Sequence, residues 1–392
     1  LNQPAVGSVL ADRPVPQPGR ACDSALVEAL TILRKARRPV ILLGLMASKP
    51  AVAEAVRRLL SVTGAPVVGT YQAAGAVSKD LSTRFGGRIG LFRNQPGDRL
   101  LHEADVVLTI GYNPVEYDPS LWNVDDGRTI VHVDVVPAEL DNRYAPAVEL
   151  LGDIAANVGA LAQAVGALAR SETLETVLRE YKADRALAFS QAYSRPGHAL
   201  HPLEIVRELA DVITPDVTTC LDMGTFHIWL ARYMMSFRAR QMLISNGQQT
   251  MGVGLPWGIA ASIVNPGQKV VSVSGDGGFM MSSMELETAV RLKSNLVHVV
   301  WVDQGYNMVE MQERKKYGRG SGVEFGPIDF AAYARACGAG GIAVDSPASL
   351  RAALRTAMDA QGPVVVSVPV DYSHNQQLMA PLAGLGETSA AA

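Results

Sequence analysis

Two aspartates, Asp276 and Asp303, are where chemistry first shows in this chain. Asp276 lies in "VSVSGDGGFMMSSMELETAV" (271–290), where an apolar run breaks into Gly-Asp-Gly-Gly. Gly277 and Gly278 are small enough to let backbone N–H groups approach a phosphate at a helix mouth. A bare aspartate in their midst repels the same phosphate. The next apolar run, "NLVHVVWVD", ends at Asp303. A single helix, expected over roughly 282–293, separates the two runs. A right-handed strand–helix–strand crossover brings both carboxyl ends to one sheet edge. Two carboxylates facing a phosphate require a cation between them. A hard divalent ion takes oxygen ligands of three kinds: carboxylate, carbonyl and substrate phosphate. Asp276 and Asp303 supply the first, the Gly305 carbonyl the second and a diphosphate the third. A lone Gly-Asp-Gly is equally well a plain turn. The pairing with a second strand ending in Asp, followed by "QGYNMV", is far more specific.

The elements that must position these residues read as two α/β units, each a doubly wound parallel sheet. Strands alternating with helices predict this class. The first unit spans 22–166. Its helical runs include "DSALVEALTILRKAR" and 49–60, and its strands "RPVILLGLM", "APVVGTY", "ADVVLTIGY" and "RTIVHVDVV". Residues 167–200 read as a helical, then loop-like, connection. The second unit spans 201–375, with strands at "DVTTCLD", "QMLIS", "QKVVSVSGD", "NLVHVVWVD" and "GPVVVSVPVD". Several end in Asp, and in an open parallel sheet ligands gather at the carboxyl ends of strands. The chemistry therefore belongs to the second unit. Residues 1–21 read as a Pro/Gly-rich linker and 376–392 as a frayed tail.

With the motif in place, the chain resembles the thiamine diphosphate enzymes, and among them the catabolic acetolactate synthases of butanediol fermentation. The stretches that carry the resemblance include "DMGTFHIWLARY", "ISNGQQTMGVGLPWGIAASIVNPG", "DQGYNMVEMQERKKYGR" and "GRIGLFRNQPGDRLLHEADVVLTIGYNPVEYDPSLWN". It implies Mg²⁺ ligands at Asp276, Asp303 and the Gly305 carbonyl. It implies diphosphate contacts at Gly277 and Gly278 and at Thr225, Phe226 and His227. Tyr306 and Asn307 would pack beside the cofactor. Met251 would prop thiamine in its bent form, and Gln312 would face the substrate. The implied reaction joins two pyruvates with loss of one CO₂. The resemblance further implies a cytoplasmic homodimer or homotetramer. It implies no FAD, since "RIGLFRNQPGD" resembles the flavin-free branch and no GxGxxG fingerprint is present. No regulatory subunit is expected.

Each assignment has a plainer competitor. The less favoured reading of Met251 is core packing, of Gln312 a solvated helix residue and of His227 a core histidine. His132, inside "TIVHVDVV", reads as a strand-core histidine. The net charge of −3 gives no reason to expect nucleic acid as a partner. No apolar run approaches the roughly 20 residues that span a bilayer. Cys22, Cys220 and Cys337 share no metal-ligand spacing and are expected to be buried thiols. The family's first domain carries a glutamate that activates the aminopyrimidine ring, and no counterpart is found in this sequence. A truncated sequence is the favoured reading, and a split enzyme is the other. On either, the 392-residue chain is expected to bind thiamine diphosphate weakly and to make no acetolactate. Other thiamine-dependent 2-oxoacid decarboxylases, pyruvate oxidase and a non-catalytic diphosphate-binding fragment remain alternatives.

Overall fold

The structure, a computed structural model, describes residues 18–125, 127–194, 198–245, 249–380 and 382. Most of the expected linker, and the tail apart from 376–380 and 382, lie outside these residues. Two six-stranded parallel sheets form the molecule. The first comprises β1 (Pro39–Leu43), β2 (Val67–Thr70), β3 (Phe85–Ile89), β4 (Val106–Ile110), β5 (Thr129–Asp134) and β6 (Val148–Leu151), in the order β3-β2-β1-β4-β5-β6. The second comprises β7 (Thr218–Leu221), β8 (Met242–Ile244), β9 (Val270–Gly275), β10 (Leu296–Val302), β11 (Gly340–Ala343) and β12 (Val364–Pro369), in the order β11-β12-β10-β9-β7-β8.

Unbroken apolar runs form these strands because both faces of each sheet are covered by helices. Strand alternation divides the side chains between two cores. Ile41 and Leu43 join one cluster, whereas Val40 and Leu42 join the cluster on the opposite face. In β10, Val297, Val299 and Trp301 face one core, and Leu296 and Val300 the other. β3, β6 and β11 are not legible as strands in the sequence. β3 (Phe85–Ile89) carries a Gly-Gly pair, and β11 (Gly340–Ala343) is short, glycine-rich and partly exposed. Both owe their conformation to a neighbouring strand rather than to propensity.

Buried polar contacts join the two units. Arg88 of β3 donates to the carbonyl oxygens of Ala231 (2.9 Å) and Met234 (2.8 Å) and to Ser236 Oγ (2.5 Å). Arg232 donates to Asn94 Oδ1 at 2.7 Å and to the Leu378 carbonyl at 2.9 Å. The first unit thus grips the C-terminal end of helix Thr225–Tyr233, whose N-terminal end faces the second sheet's ligand edge.

The crossover helix and the burial of two cysteines need correction, while His132 is as expected. The helix expected over 282–293 is two short helices, Asp276–Ser282 and Glu285–Arg291. The Gly-Asp-Gly-Gly turn is therefore not a loop before a helix but, from Asp276 onward, its first turn. The reason is local: Asp276 Oδ1 accepts the Gly277 N–H at 2.8 Å, satisfying a donor that a helix start leaves free. Cys22 is exposed, since it precedes a surface helix, and Cys337 is only partly covered; Cys220 is buried as expected. His132 is a core residue, with Nδ1 2.8 Å from the Tyr144 hydroxyl.

Candidate functional site: a cleft at the reversal of the second sheet

Strand order in the second sheet reverses between β7 and β9, so their carboxyl ends diverge and leave a crevice. A cleft of about 290 Å³ opens there. Thr225, Phe226, Met251, Asp276, Gly277 and Gly278 line one part of it, and Asp303, Gly305, Tyr306, Asn307 and Gln312 another. Every sequence-derived site residue except His227 therefore meets at one cavity. His227 is 1 % exposed and does not line it. Its ring packs edge-on against Tyr71 of the first unit, at 5.3 Å between centroids. Neither of its ring nitrogens finds a hydrogen-bond partner among the described residues. Burial holds it neutral, with its pKa lowered to about 3.

The two aspartates are brought together by register. β9 and β10 pair in parallel with Gly275 opposite Trp301, so both chains leave the sheet side by side. Asp276 Oδ2 accepts the backbone N–H groups of Gln304 (2.7 Å) and Asp303 (3.2 Å). Gln304 takes a left-handed φ of +62°, costly for a residue with a Cβ, and the Asp276 carboxylate clamps its amide there. Beyond it, the chain doubles back: the Tyr306 N–H donates to the Val323 carbonyl at 2.8 Å. Burial pushes both carboxyls up. Asp303 reaches about 7, through burial first and the charge of Asp276 second. A divalent cation would relieve this crowding. Among the described residues, no group of three or more His, Cys, Asp or Glu is placed to hold a metal. The available donors are thus two carboxylates and a backbone carbonyl, a set that fits Mg²⁺ when a diphosphate and water supply the remaining oxygens.

The glycines have a structural reason that the sequence did not reveal. A Cβ on Gly277 would lie 2.5 Å from Tyr306 Cε1 and 3.1 Å from Phe325 Cζ. A Cβ on Gly278 would lie 2.9 Å from Asp222 Oδ2. Both positions are glycine because the turn is packed tightly from within.

Asn307 is the hub of the far wall. Its Oδ1 accepts from Thr225 Oγ1 (2.9 Å) and Asn375 Nδ2 (2.7 Å). Sequence reasoning missed Tyr372, which lines the cleft from just beyond β12. Burial, with the charges of Asp303 and Asp276 next, holds its phenol well above the usual range. The available signal was its place after the carboxyl end of a strand, which the Asp-ending pattern overshadowed. Asp222 ends the run "DVTTCLD", but its role was not visible there, because its partners at Gly252 and Val253 are backbone amides distant in sequence.

A cleft with these donors at the strand-order reversal of a doubly wound sheet defines a ligand-binding α/β protein. Residues 222–368 match the thiamine pyrophosphate enzyme C-terminal TPP-binding domain, and residues 26–161 match the central domain of the same enzymes. The chain is 52% identical over 383 residues to a catabolic acetolactate synthase of Raoultella terrigena, covering 97% of this chain and 68% of that protein. It is 48% identical over 363 residues to an acetolactate synthase of Bacillus subtilis, covering 93% of this chain and 64% of that protein. The chain belongs to the thiamine pyrophosphate enzymes and, within them, to the acetolactate synthase family. It spans about two thirds of the length of these relatives.

Proposed function

We propose that the chain supplies the diphosphate- and metal-binding part of an acetolactate synthase, which condenses two pyruvates to 2-acetolactate and CO₂. The observation that carries this reading is the Asp276–Asp303 pair beside the tightly packed glycine turn, facing one cleft. In this reading Asp276, Asp303 and the Gly305 carbonyl hold Mg²⁺. Gly277, Gly278, Thr225 and Phe226 seat the diphosphate. His227 supports that seat from behind, against Tyr71, rather than touching the ligand. Met251 is the prop, its unbranched thioether filling space beneath a bent ligand. Tyr306 and Asn307 flank the ligand. Bound thiamine diphosphate supplies the carbanion chemistry on a 2-oxoacid. The chain's own part is to seat that group, keep the wall dry and orient the acceptor. Gln312 offers a neutral amide, which can hydrogen-bond a second pyruvate without delivering a proton to the reacting carbon.

The finer expectations stand with this reading: Mg²⁺ as the metal, no FAD, a homo-oligomer without a regulatory subunit, a cytoplasmic setting and a fermentative role. Among the described residues no helix is long and apolar enough to cross a membrane. The deciding experiment is titration calorimetry of the chain with thiamine diphosphate, with and without Mg²⁺, repeated on Asp276→Asn. Binding should require Mg²⁺ and be lost in the variant. Equal, metal-independent binding in both would refute the metal assignment. The product formed from pyruvate by the protein in its native assembly separates acetolactate synthesis from acetaldehyde or acetyl phosphate formation.

A further inference from the structure

Asp222 stands at the strand-order reversal, immediately after β7, and is 1 % exposed. Its own N–H is spent on the Val273 carbonyl of β9, at 2.9 Å. Its carboxylate accepts three backbone N–H groups: Met223 at 2.8 Å, Gly252 at 3.1 Å and Val253 at 3.3 Å. No Lys, Arg or His forms an ion pair with it among the described residues. A buried carboxylate satisfied by backbone amides alone is a means of fixing backbone, and here it fixes two turns relative to each other.

The first is the turn that follows Met251. The Gly252 amide held by Asp222 belongs to the same peptide plane as the Met251 carbonyl, so holding one orients the other. Gly252 takes a φ of +81°, which suits only a residue without a Cβ. The second is the diphosphate turn, since a Cβ on Gly278 would lie 2.9 Å from Asp222 Oδ2. Gly254 abuts the same side chain: its Cβ would be 2.9 Å from Asp222 Cβ. Glycines 254 and 278 thus make room around one side chain, while Gly252 supplies it with an amide.

We propose that Asp222 is a positioning residue that sets the spacing between the Met251 prop and the diphosphate seat, and so lets the cleft distinguish thiamine diphosphate from a bare diphosphate. This rests on the thiamine diphosphate reading given above. Asp222 touches neither the metal nor the ligand and acts through the two turns. A purely structural cap on helix Gly254–Val264 would lower stability and weaken all ligands together. A spacer changes the preference between ligands.

The test measures the affinity of the chain for thiamine diphosphate and for inorganic pyrophosphate, both with Mg²⁺, in wild type, Asp222→Asn and Asp222→Glu. Asparagine turns an N–H toward amides that need an acceptor; glutamate keeps the acceptor but displaces it by one methylene. In both variants the preference for thiamine diphosphate should fall about tenfold, with pyrophosphate affinity retained. Combining Asp222→Asn with Met251→Ala should cost no more preference than Met251→Ala alone, because both act on one prop. A preference within about twofold of wild type in whichever variant folds overturns the inference. So does an equal loss of affinity for both ligands. A wild-type chain that binds neither compound in Mg²⁺ overturns the underlying reading of the cleft, which is a distinct result.

Discussion

Gly277→Ala tests whether the glycine turn is packed from within or merely open to a ligand. The added methyl would lie 2.5 Å from Tyr306 Cε1, 2.8 Å from Tyr306 Cδ1 and 3.1 Å from Phe325 Cζ. Carbon atoms in contact prefer about 3.5–4.0 Å, so the Tyr306 ring must retreat by roughly 1 Å. It has little freedom to do so. Its backbone N–H is tied to the Val323 carbonyl, and its ring meets Phe325 edge-on at 4.8 Å. Overpacking of this kind costs about 1–3 kcal/mol. Against it stands the gain from placing alanine in a helix, at most about 1 kcal/mol and less in a first turn. The expected net destabilisation is about 1–2 kcal/mol, read as a lower urea midpoint at unchanged slope. Affinity for thiamine diphosphate and Mg²⁺ should fall with it, because Tyr306 lines the cleft. Gly159→Ala is the internal control. It lies within helix Ile154–Ala164, nothing stands within 4 Å of its added methyl, and it should raise the midpoint. If both variants raise the midpoint, the packing argument is wrong.

Two further outcomes follow from the structure. His298 is buried between Ser272 Oγ (2.6 Å) and Ser274 Oγ (2.9 Å), and burial lowers its pKa to about 3. Between about pH 6.5 and 3 the unfolded chain binds a proton that the folded chain refuses, so stability falls as pH falls through that window. At roughly 1.4 kcal/mol per unit the full shift amounts to about 5 kcal/mol. His298→Gln should reduce the slope of that part of a stability–pH curve, with His227 keeping its own share, and an unchanged curve would contradict the assignment. Gln312→Ala should lower acetolactate formation by the protein in its native assembly while leaving cofactor affinity in place; unchanged product formation would remove Gln312 from acceptor binding.

The two-sheet architecture was legible because buried parallel strands leave long apolar runs such as "KVVSVSG" and "NLVHVVWV". The proximity of the two aspartates was legible because each ends such a run, and strand adjacency follows from a short crossover. β3 and β11 were not, because their neighbours rather than their own glycine-rich residues impose the strand. The start of helix Asp276–Ser282 was misplaced for a related reason. Two glycines argue against a helix by propensity, and only the Asp276 side chain, bound to the amides of Gly277, Gln304 and Asp303, reverses that.

By itself, then, the sequence determined the class of sheet and the family, and it named the residues proposed to hold a metal and a diphosphate. Those properties reside in residue type and short-range order. Only the tertiary structure decided which of these residues share a cleft, because that depends on register and strand order. It moved His227 behind the wall, brought Tyr372 to the aspartate pair and made Asp222 the joint between two turns some 25 residues apart in sequence. A backbone amide carries no signature in a sequence, so the amides that Asp222 and Asp276 hold are known only once the chain is folded around them.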